Sequence, residues 1–255
     1  MKRNFKITLA YDGTRYYGWE KQPGQDMTIQ GKLEAVLTRM VADENAPTEV
    51  DPIEVIGAGR TDAGVHAKGM VCNAYLPTGK GELAIKTYLN RYLPEDIAVL
   101  DVSEAGDRFH SRYKATGKTY CYTCYAGDAK PVFNRRYCYV LEERPDIGRM
   151  KKAAEALLGE HDFASFCANP RMKKSTVRVV DSIEITERGG YLNFTYHGTG
   201  FLQYMVRIMT GTLLEVGFGR MDPKDIPGIL AACDRTLAGP TAPPHGLCLM
   251  KVDYN

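Results

Sequence analysis

The order of strand-like and helix-like segments constrains the fold of this chain more than any other feature of its sequence. Alternating apolar residues predict strands, and apolar residues spaced three and four apart predict helices. The segments of the N-terminal part are, in order, strand 4–11, helix 28–43, strands 53–59 and 69–76, helix 82–93 and strand 96–105. This β-α-β-β-α-β order is typical of a ferredoxin-like fold.

The C-terminal part repeats the same order. Its segments are strand 118–126, helix 146–160, a hairpin over 176–197 that turns at Gly189 and Gly190, helix 201–217, an extra helix over 223–235 and strand 246–254. The sequence therefore predicts an α+β fold of two ferredoxin-like (RRM-like) βαββαβ halves, residues 1–106 and 107–255. Because each half has an open antiparallel sheet, we expect the halves to join into one mainly antiparallel sheet around a central cleft.

Composition excludes several classes of protein. A chain of 255 residues with 44% hydrophobic content can bury a sizeable core. It contains no run of about eighteen uncharged apolar residues, so we expect neither a membrane segment nor secretion. Its seven cysteines are an odd number in a chain long enough to need no covalent cross-links, which favours a reducing cytoplasm.

A C-x-x-C spacing at Cys121 and Cys124 raises the question of a metal or redox pair. Side chains three positions apart on a strand point to opposite faces, and the sequence has no second C-x-x-C. We therefore expect no metal site.

Basic residues are concentrated in two stretches, although the net charge is only +2. The first basic patch lies between Asp107 and Asp128 and contains Arg108, Arg112, Lys114 and Lys118. The second basic patch lies between Asp162 and Asp181 and contains Arg171, Lys173, Lys174 and Arg178. Such patches, interleaved with aromatic residues, suit a polyanion such as RNA, although two solvated loops would show the same pattern.

The glycine-rich stretch EVIGAGRTDAGVHAKGM, residues 54–70, matches neither of two phosphate-binding motifs. Asp62 stands where a dinucleotide loop needs its third glycine, and Val65 and His66 stand where a Walker-type loop needs Lys and Ser or Thr. What remains is a turn between two strands that presents Arg60 and Asp62 to the cleft. An ordinary tight turn with an Asx-type aspartate is the alternative.

Helix 201–217 is apolar on nearly every side, which predicts a buried helix with Arg207 in its middle. A buried arginine requires a carboxylate partner. Glu215 lies about 12 Å further along the same helix, too far for a good contact. Asp62 is therefore the candidate partner, either for catalysis or as a structural ion pair that joins the halves.

Several motifs in this order resemble the signature of the TruA-type tRNA pseudouridine synthases. They are YDGTRYYGW, GRTDAGVHA, RFHSRYKATGKTYCY, GEHDFASFC, GFLQYMVR and APPHGLCLMKVDY, and together they cover nearly the whole chain. The resemblance implies two ferredoxin-like halves in one sheet and a homodimer without a cofactor. It also implies an isomerase that converts uridines 38, 39 and 40 of the tRNA anticodon arm into pseudouridine.

The resemblance also assigns residues. It places the catalytic aspartate at Asp62, the base-flipping arginine at Arg60, the base-stacking tyrosine at Tyr120 and the arginine paired with the aspartate at Arg207. The sequence departs from the family at Glu20, where glutamine is usual, and this puts in doubt only the local contacts of that loop.

The implied chemistry suits a single carboxylate. The reaction breaks the bond from N1 to C1′ and rejoins the base through C5, and the leaving uracil delocalises its own negative charge. One ionised aspartate is therefore sufficient, whether it attacks C1′ or removes a sugar proton. Tyr120 is one possible base for the C5 proton, with a core aromatic as the alternative. Arg171, Lys173 and Lys174 are expected to bind RNA.

His66 follows Asp62 by four residues, so it could act as a general base. A hydrogen-bonded structural histidine that touches a phosphate is the interpretation that the sequence favours. Trp19, the only tryptophan, is expected to pack in the core, with RNA contact as the alternative.

Two functions of other classes share the βαββαβ order. A non-catalytic RNA-binding protein of two RRM-like halves would carry an RNP1 string, which the sequence lacks. A small-molecule enzyme of ferredoxin-like fold would leave the two basic patches unexplained.

Overall fold

The computed structural model of the chain describes residues 2–45, 50–169 and 172–255, with only the main chain of Asn45. The chain divides into two compact units, Gly117–Cys248 and Met1–Thr116 together with Leu249–Asn255. The sequence placed this boundary between residues 106 and 107. The first unit also gains the C-terminal residues because the last strand pairs with a strand of that unit.

The first unit has the predicted order of elements. These are β1 (Arg3–Tyr11), α1 (Ile29–Asn45), β2 (Ile56–Gly57), β3 (His66–Leu76), α2 (Glu82–Tyr92) and β4 (Ile97–Ala105), completed by most of β10 (Leu247–Tyr254). Its strands lie in the order β4-β1-β3-β10, and β1 pairs antiparallel with both β3 and β4. The α+β class predicted from the sequence is confirmed.

The predicted strand 53–59 is wrong in length, since β2 contains only two residues beside β3. Side chains of α1 bind the main chain just before it. Thr38 Oγ1 accepts the N–H of Ile53 at 2.9 Å, and Glu34 accepts the N–H of Val55 at 3.1 Å. These main-chain groups are already paired with side chains of α1. They therefore do not pair with a neighbouring strand, and β2 is short.

The core of the first unit follows the predicted periodicities. On β1 the buried side chains alternate as Phe5, Ile7, Leu9 and Tyr11. The face predicted for α1 contains Ile29, Leu33, Val36, Leu37, Met40 and Val41, and all of these are buried except Val36, which is half-buried. The helix and sheet therefore share one apolar layer, which fixes the strand ends from which the loops of the unit depart.

The second unit contains more elements than the sequence predicted. These are β5 (Ala115–Tyr125), β6 (Tyr139–Val140), α3 (Ile147–Glu155), β7 (Gly159–Asp162), β8 (Val177–Arg188), β9 (Tyr191–Gly198), α4 (Met205–Gly217) and α5 (Ile226–Ala232). Its strands lie in the order β5-β9-β8-β7. The β8–β9 hairpin is confirmed, and Gly189 and Gly190 have φ of 58° and 81°, as a two-residue type I′ turn requires.

Three helices of the second unit are shorter than predicted. The extra helix predicted over 223–235 is α-helical only in α5, because Cys233 has φ of 50° and ends it. The prediction of helix 146–160 was wrong at its end, since α3 stops at Glu155 and Gly159, with φ of 94°, starts β7. The prediction of helix 201–217 was wrong at its start, because Tyr204 has φ of 61° and ψ of 4°. This left-handed conformation cannot continue a right-handed helix. Arg207 therefore lies in the first turn of α4 and not in its middle.

Strand β5 has the predicted alternation. Tyr120, Tyr122 and Cys124 are buried on one side, whereas Cys121 lies on the less buried side. The two cysteines of the C-x-x-C motif thus face opposite ways. In the part of the chain that the structure describes, no helix is both long enough and apolar enough to span a membrane.

Gly57 gives a test of the packing that ends β2. A Cβ at this position would lie 2.5 Å from Nε1 of the buried Trp19, so we expect Gly57→Ala to lower the free energy of unfolding by about 1–3 kcal/mol. Gly228→Ala is the control. Its Cβ would meet nothing within 4 Å in α5, and we expect a gain of about 0.5–1 kcal/mol. Urea denaturation measures both, and equal stabilities for the two variants would contradict this packing.

Candidate active site

The first half of the candidate site is a tight turn between β2 and β3, which we call the Asp62 turn (residues 62–65). The carbonyl of Asp62 accepts the N–H of Val65 at 3.1 Å, and Gly64 has φ of 77°. A positive φ at the third position is what a type II turn requires, and glycine adopts it without strain. A main-chain hydrogen bond therefore closes this turn.

A second loop holds the Asp62 turn in place, and we call it the Trp19 loop (residues 16–22). The N–H of Trp19 donates to the carbonyl of Thr61 at 3.0 Å, and the N–H of Gly64 donates to the carbonyl of Tyr16 at 3.2 Å. A Cβ at Gly18 would lie only 2.6 Å from the Thr61 carbonyl oxygen. The two loops are therefore joined through their main chains on both sides of Asp62.

Buried side chains support this contact from below. Trp19 is 2% exposed, so the predicted packing role is confirmed. Its ring lies 6.3 Å from that of Tyr11, whose hydroxyl is 2.8 Å from the hydroxyl of Thr61. These contacts fix the main chain directly before Asp62, while Asp62 itself remains partly exposed.

His66 is the first residue of β3 and is 5% exposed. Its Nδ1 lies 3.1 Å from the main-chain nitrogen of Gly13 and 3.1 Å from Oδ1 of Asp12. The two contacts require different protonation states of Nδ1. An unprotonated Nδ1 accepts the N–H of Gly13, and a protonated Nδ1 donates to Asp12. In either form the ring holds the Asp12–Gly13 corner, which supports the structural interpretation over a general base.

Arg60 presents its side chain to solvent next to the Asp62 turn. The guanidinium forms an ion pair with the carboxylate of Glu20 in the Trp19 loop, and the two side chains are 62% and 46% exposed. Arg60, Asp62 and His66 therefore lie on one short stretch of the first unit. Nothing in the sequence pattern indicated Glu20 as the partner of Arg60.

The predicted site residues of the second unit lie on β5 and at the start of α4. Tyr120 is 7% exposed, and its ring meets that of Phe201 edge-on at 5.3 Å. The guanidinium of Arg207 lies 4.6 Å from the ring centre of Tyr204. Tyr120 and Arg207 thus each pack against a different end of the 201–204 segment.

Arg207 is half-buried and fixed through its own unit. Its Nε donates to the carbonyl of Ala242 at 2.7 Å, and its carbonyl accepts the N–H of Ala242 at 3.1 Å. A cation in the first turn of a helix opposes the helix dipole, which favours negative charge there. Glu215, which the sequence had set aside as a partner, binds Arg220 at 3.0 Å.

Tyr204 is the residue of this region that sequence reasoning missed. A tyrosine with positive φ is uncommon, and such strain often marks functional segments. No residue pattern in the sequence indicates this conformation.

Tyr122 lies nearby on β5. Burial raises the pKa of Tyr122 far above its usual range, and its hydroxyl donates to the carbonyl of Pro243 at 2.8 Å. Tyr122 therefore stays protonated and is not a candidate base.

Both basic patches present exposed cations. In the first, Arg108, Arg112 and Lys114 are exposed, and between them the ring of Tyr113, 77% exposed, stacks on that of His110 at 4.2 Å. In the second, Lys173 and Lys174 are exposed, whereas Arg171 lies outside the described residues. Among the residues that the structure does describe, no three His, Cys, Asp or Glu side chains are grouped as metal ligands.

Comparison with known proteins gives the class of this site. The family model described as tRNA pseudouridine synthase matches residues 7–114 and 153–255. These segments contain Arg60, Asp62 and Arg207, and Tyr120 falls between them. The chain belongs to the tRNA pseudouridine synthase family and is therefore an isomerase that converts uridine to pseudouridine in tRNA. Family membership contradicts the alternative that the chain is a non-catalytic RNA-binding protein.

Individual relatives match over almost their whole lengths. A protein of Clostridium kluyveri named tRNA pseudouridine synthase A is 43% identical over 99% of this chain and 100% of its own length. Relatives of the same name from Moorella thermoacetica and Bacillus sp. are each 44% identical. The alignments cover 98% of both chains for the first and 92% of this chain and 93% of the relative for the second.

The structural role of His66 can be tested without any activity assay. We expect His66→Ala to lower the free energy of unfolding by about 1–3 kcal/mol, because it leaves a buried main-chain N–H without its acceptor. His66→Asn keeps an oxygen near the position of Nδ1 and should lose less. Chemical denaturation distinguishes the variants, and an alanine variant as stable as the wild type would remove His66 from the support of the turn.

Proposed function

We propose that this chain isomerises uridines 38, 39 and 40 of the tRNA anticodon arm, with Asp62 acting at the ribose of a flipped-out nucleotide. The observation that carries this proposal is the Asp62 turn. Its main chain is closed and joined to a neighbouring loop without the Asp62 carboxylate, which is partly exposed. A turn closed in this way holds the partly exposed Asp62 carboxylate in a defined position for chemistry.

One carboxylate is enough for this isomerisation. The bond from N1 to C1′ breaks with its electron pair on uracil, which spreads the charge over two carbonyl groups. C5 of the turned base then bonds to C1′, the proton on C5 leaves, and N1 gains a proton. Asp62 either forms a transient bond to C1′ or takes the proton from C2′ and returns it, and the proposal includes both routes.

The uridine must first leave its stack, at a cost of a few kcal/mol. We assign Arg60, the exposed cation next to Asp62, to the space that the base vacates. Tyr120 offers an aromatic face, and stacking of a base on such a face contributes about 1–3 kcal/mol. Since Tyr120 is only 7% exposed, a covering side chain must move as the base enters.

Arg207 is, in this proposal, the cation that keeps Asp62 ionised. The support comes from its own surroundings, since a half-buried guanidinium in the first turn of α4 lies at the positive end of a helix. A carboxylate beside it would offset that unfavourable charge. His66 acts at a distance, because it supports the loop that carries Asp62 and its buried ring offers no surface to a phosphate.

The remaining parts of the proposal concern partners. The exposed lysines and arginines of the two basic patches contact tRNA phosphates, and Arg171 is included on sequence grounds alone. A homodimer, a cytoplasmic location and the lack of a cofactor stay predictions that derive from the family resemblance and from composition.

The position of the modified uridines is open to direct mapping. We expect the wild-type protein to produce carbodiimide-dependent primer-extension stops at positions 38, 39 and 40 of a tRNA transcript with uridine there. Transcripts with cytidine at these three positions are the control and should give no stops. Stops confined to another arm of the tRNA would show that the anticodon arm is not the target.

The second basic patch is expected to bind tRNA phosphates. Lys173→Ala with Lys174→Ala should weaken tRNA binding and reduce the slope of log K against log salt by about one for each phosphate that is no longer neutralised. The matched control replaces Lys151 and Lys152, which are exposed on α3 outside both patches. Filter binding over a range of salt concentrations measures the slopes, and equal slopes in the two double variants would exclude this patch from the interface.

A further inference from the structure

The ion pair between Arg60 and Glu20 is a feature for which the reaction itself gives no reason. Both side chains are largely exposed, and an exposed ion pair contributes little to the stability of a fold. A carboxylate beside a cation that is meant for RNA competes directly with the RNA.

The main chain on either side of Glu20 is fixed. Trp19 is buried, its N–H donates to the Thr61 carbonyl at 3.0 Å, and its carbonyl accepts the N–H of Gln30 at 2.9 Å. On the other side, the N–H of Lys21 donates to the side-chain oxygen of Gln30 at 2.9 Å. The fixed main chain thus places the Glu20 carboxylate directly next to Arg60, the residue that precedes Thr61.

Neighbouring cations do not occupy Glu20. Lys21, the next residue, directs its ammonium group to Glu34 at 3.1 Å. The guanidinium of Arg60 is therefore the cation that the structure places against Glu20. The pair links the loop that carries Asp62 to the loop that clamps it.

We propose that Glu20 is a positioning residue that holds Arg60 in a resting orientation and must be exchanged for RNA when the substrate binds. This inference rests on the proposed role of Arg60. RNA that offers Arg60 a phosphate or a vacated stack replaces the carboxylate. RNA that offers neither leaves the pair intact.

This exchange makes Glu20 a determinant of specificity. Breaking the pair costs binding energy only for an RNA that engages Arg60, whereas other RNA leaves the pair intact. Glu20→Gln removes this cost. We therefore expect the variant to bind an anticodon-arm RNA about two- to five-fold more tightly, the range that corresponds to the free energy of an exposed ion pair. RNA without a target uridine leaves the pair intact and should gain less, so the difference in affinity between the two RNAs rises.

A double-mutant cycle separates exchange at Arg60 from simple repulsion between Glu20 and phosphates. The proteins are wild type, Glu20→Gln, Arg60→Gln and the double variant, and the measurement is the Kd for anticodon-arm RNA by filter binding at fixed salt. If Glu20 acts through Arg60, its replacement tightens binding two- to five-fold in the presence of Arg60 and by less than 1.5-fold in its absence. Asp26→Asn, which removes an exposed carboxylate just beyond the Trp19 loop, should show no such dependence on Arg60.

Two results would overturn the proposal. Equal tightening in both backgrounds would mean that Glu20 repels phosphates directly. Weaker binding by Glu20→Gln would mean that the pair orients Arg60 for RNA and does not withhold it. A fluorescent 2-aminopurine beside the target uridine adds a reading of flipping, and we expect its signal at equal protein concentration to rise in Glu20→Gln only when Arg60 is present.

The double-mutant cycle measures binding and needs no turnover, so a failure of this inference can be distinguished from a failure of the proposed function. Release of tritium from uridine labelled at C5 by the wild-type protein tests the function itself. An active wild type without coupling between Glu20 and Arg60 would remove only the role of Glu20. A wild type that releases no tritium from the anticodon arm would instead remove the function from which Arg60 takes its role.

Discussion

The main-chain contact between the Trp19 loop and the Asp62 turn is the constraint on which the site depends. The Thr61 carbonyl accepts from Trp19, and Gly64 donates to Tyr16, so the chain is held immediately before and shortly after Asp62. Neither bond uses a side chain of the turn. Main-chain bonds of this kind place the Asp62 side chain more accurately than a mobile loop would.

A different constraint acts at the start of α4. Because Tyr204 has the left-handed conformation, α4 begins four residues later than its apolar pattern predicts, and the Tyr204 ring lies under the Arg207 guanidinium. The bond from Arg207 to the Ala242 carbonyl fixes the arginine further. The arginine is thereby held in the first helical turn, where its charge opposes the dipole, a cost that makes sense if a negative group is to be bound there.

Sequence reasoning succeeded where local rules decide the structure. Consecutive glycines predicted the β8–β9 turn, strand alternation predicted that Cys121 and Cys124 of β5 lie on opposite faces, and helical spacing predicted the core face of α1 apart from Val36. It failed where a distant group intervenes. Side chains of α1 bind the main chain at Ile53 and Val55, and no local pattern reports a contact across some twenty residues. The prediction that α4 starts at residue 201 failed because no sequence pattern indicates that Tyr204 has a positive φ.

The candidate site divides in the same way. The glycines around Asp62 predicted a turn, and the structure shows which of them matter, Gly64 for its positive φ and Gly57 for the close approach of Trp19. The pairing of Arg60 with Glu20 was not predictable, since it joins two loops forty residues apart. This contact depends on the main-chain hydrogen bonds that join the two loops, and these bonds are seen only in the folded chain.

The most direct test of this account is the turnover of Asp62→Asn on an anticodon-arm RNA, measured together with its RNA affinity. The asparagine has nearly the same shape, and the main-chain bonds of the turn do not involve the carboxylate. We expect tritium release from C5 to be abolished, while the Kd for RNA stays close to that of the wild type because phosphate contacts elsewhere supply most of the affinity. Turnover near the wild-type rate would contradict the account, since Asp62 would then be no more than a residue of the turn.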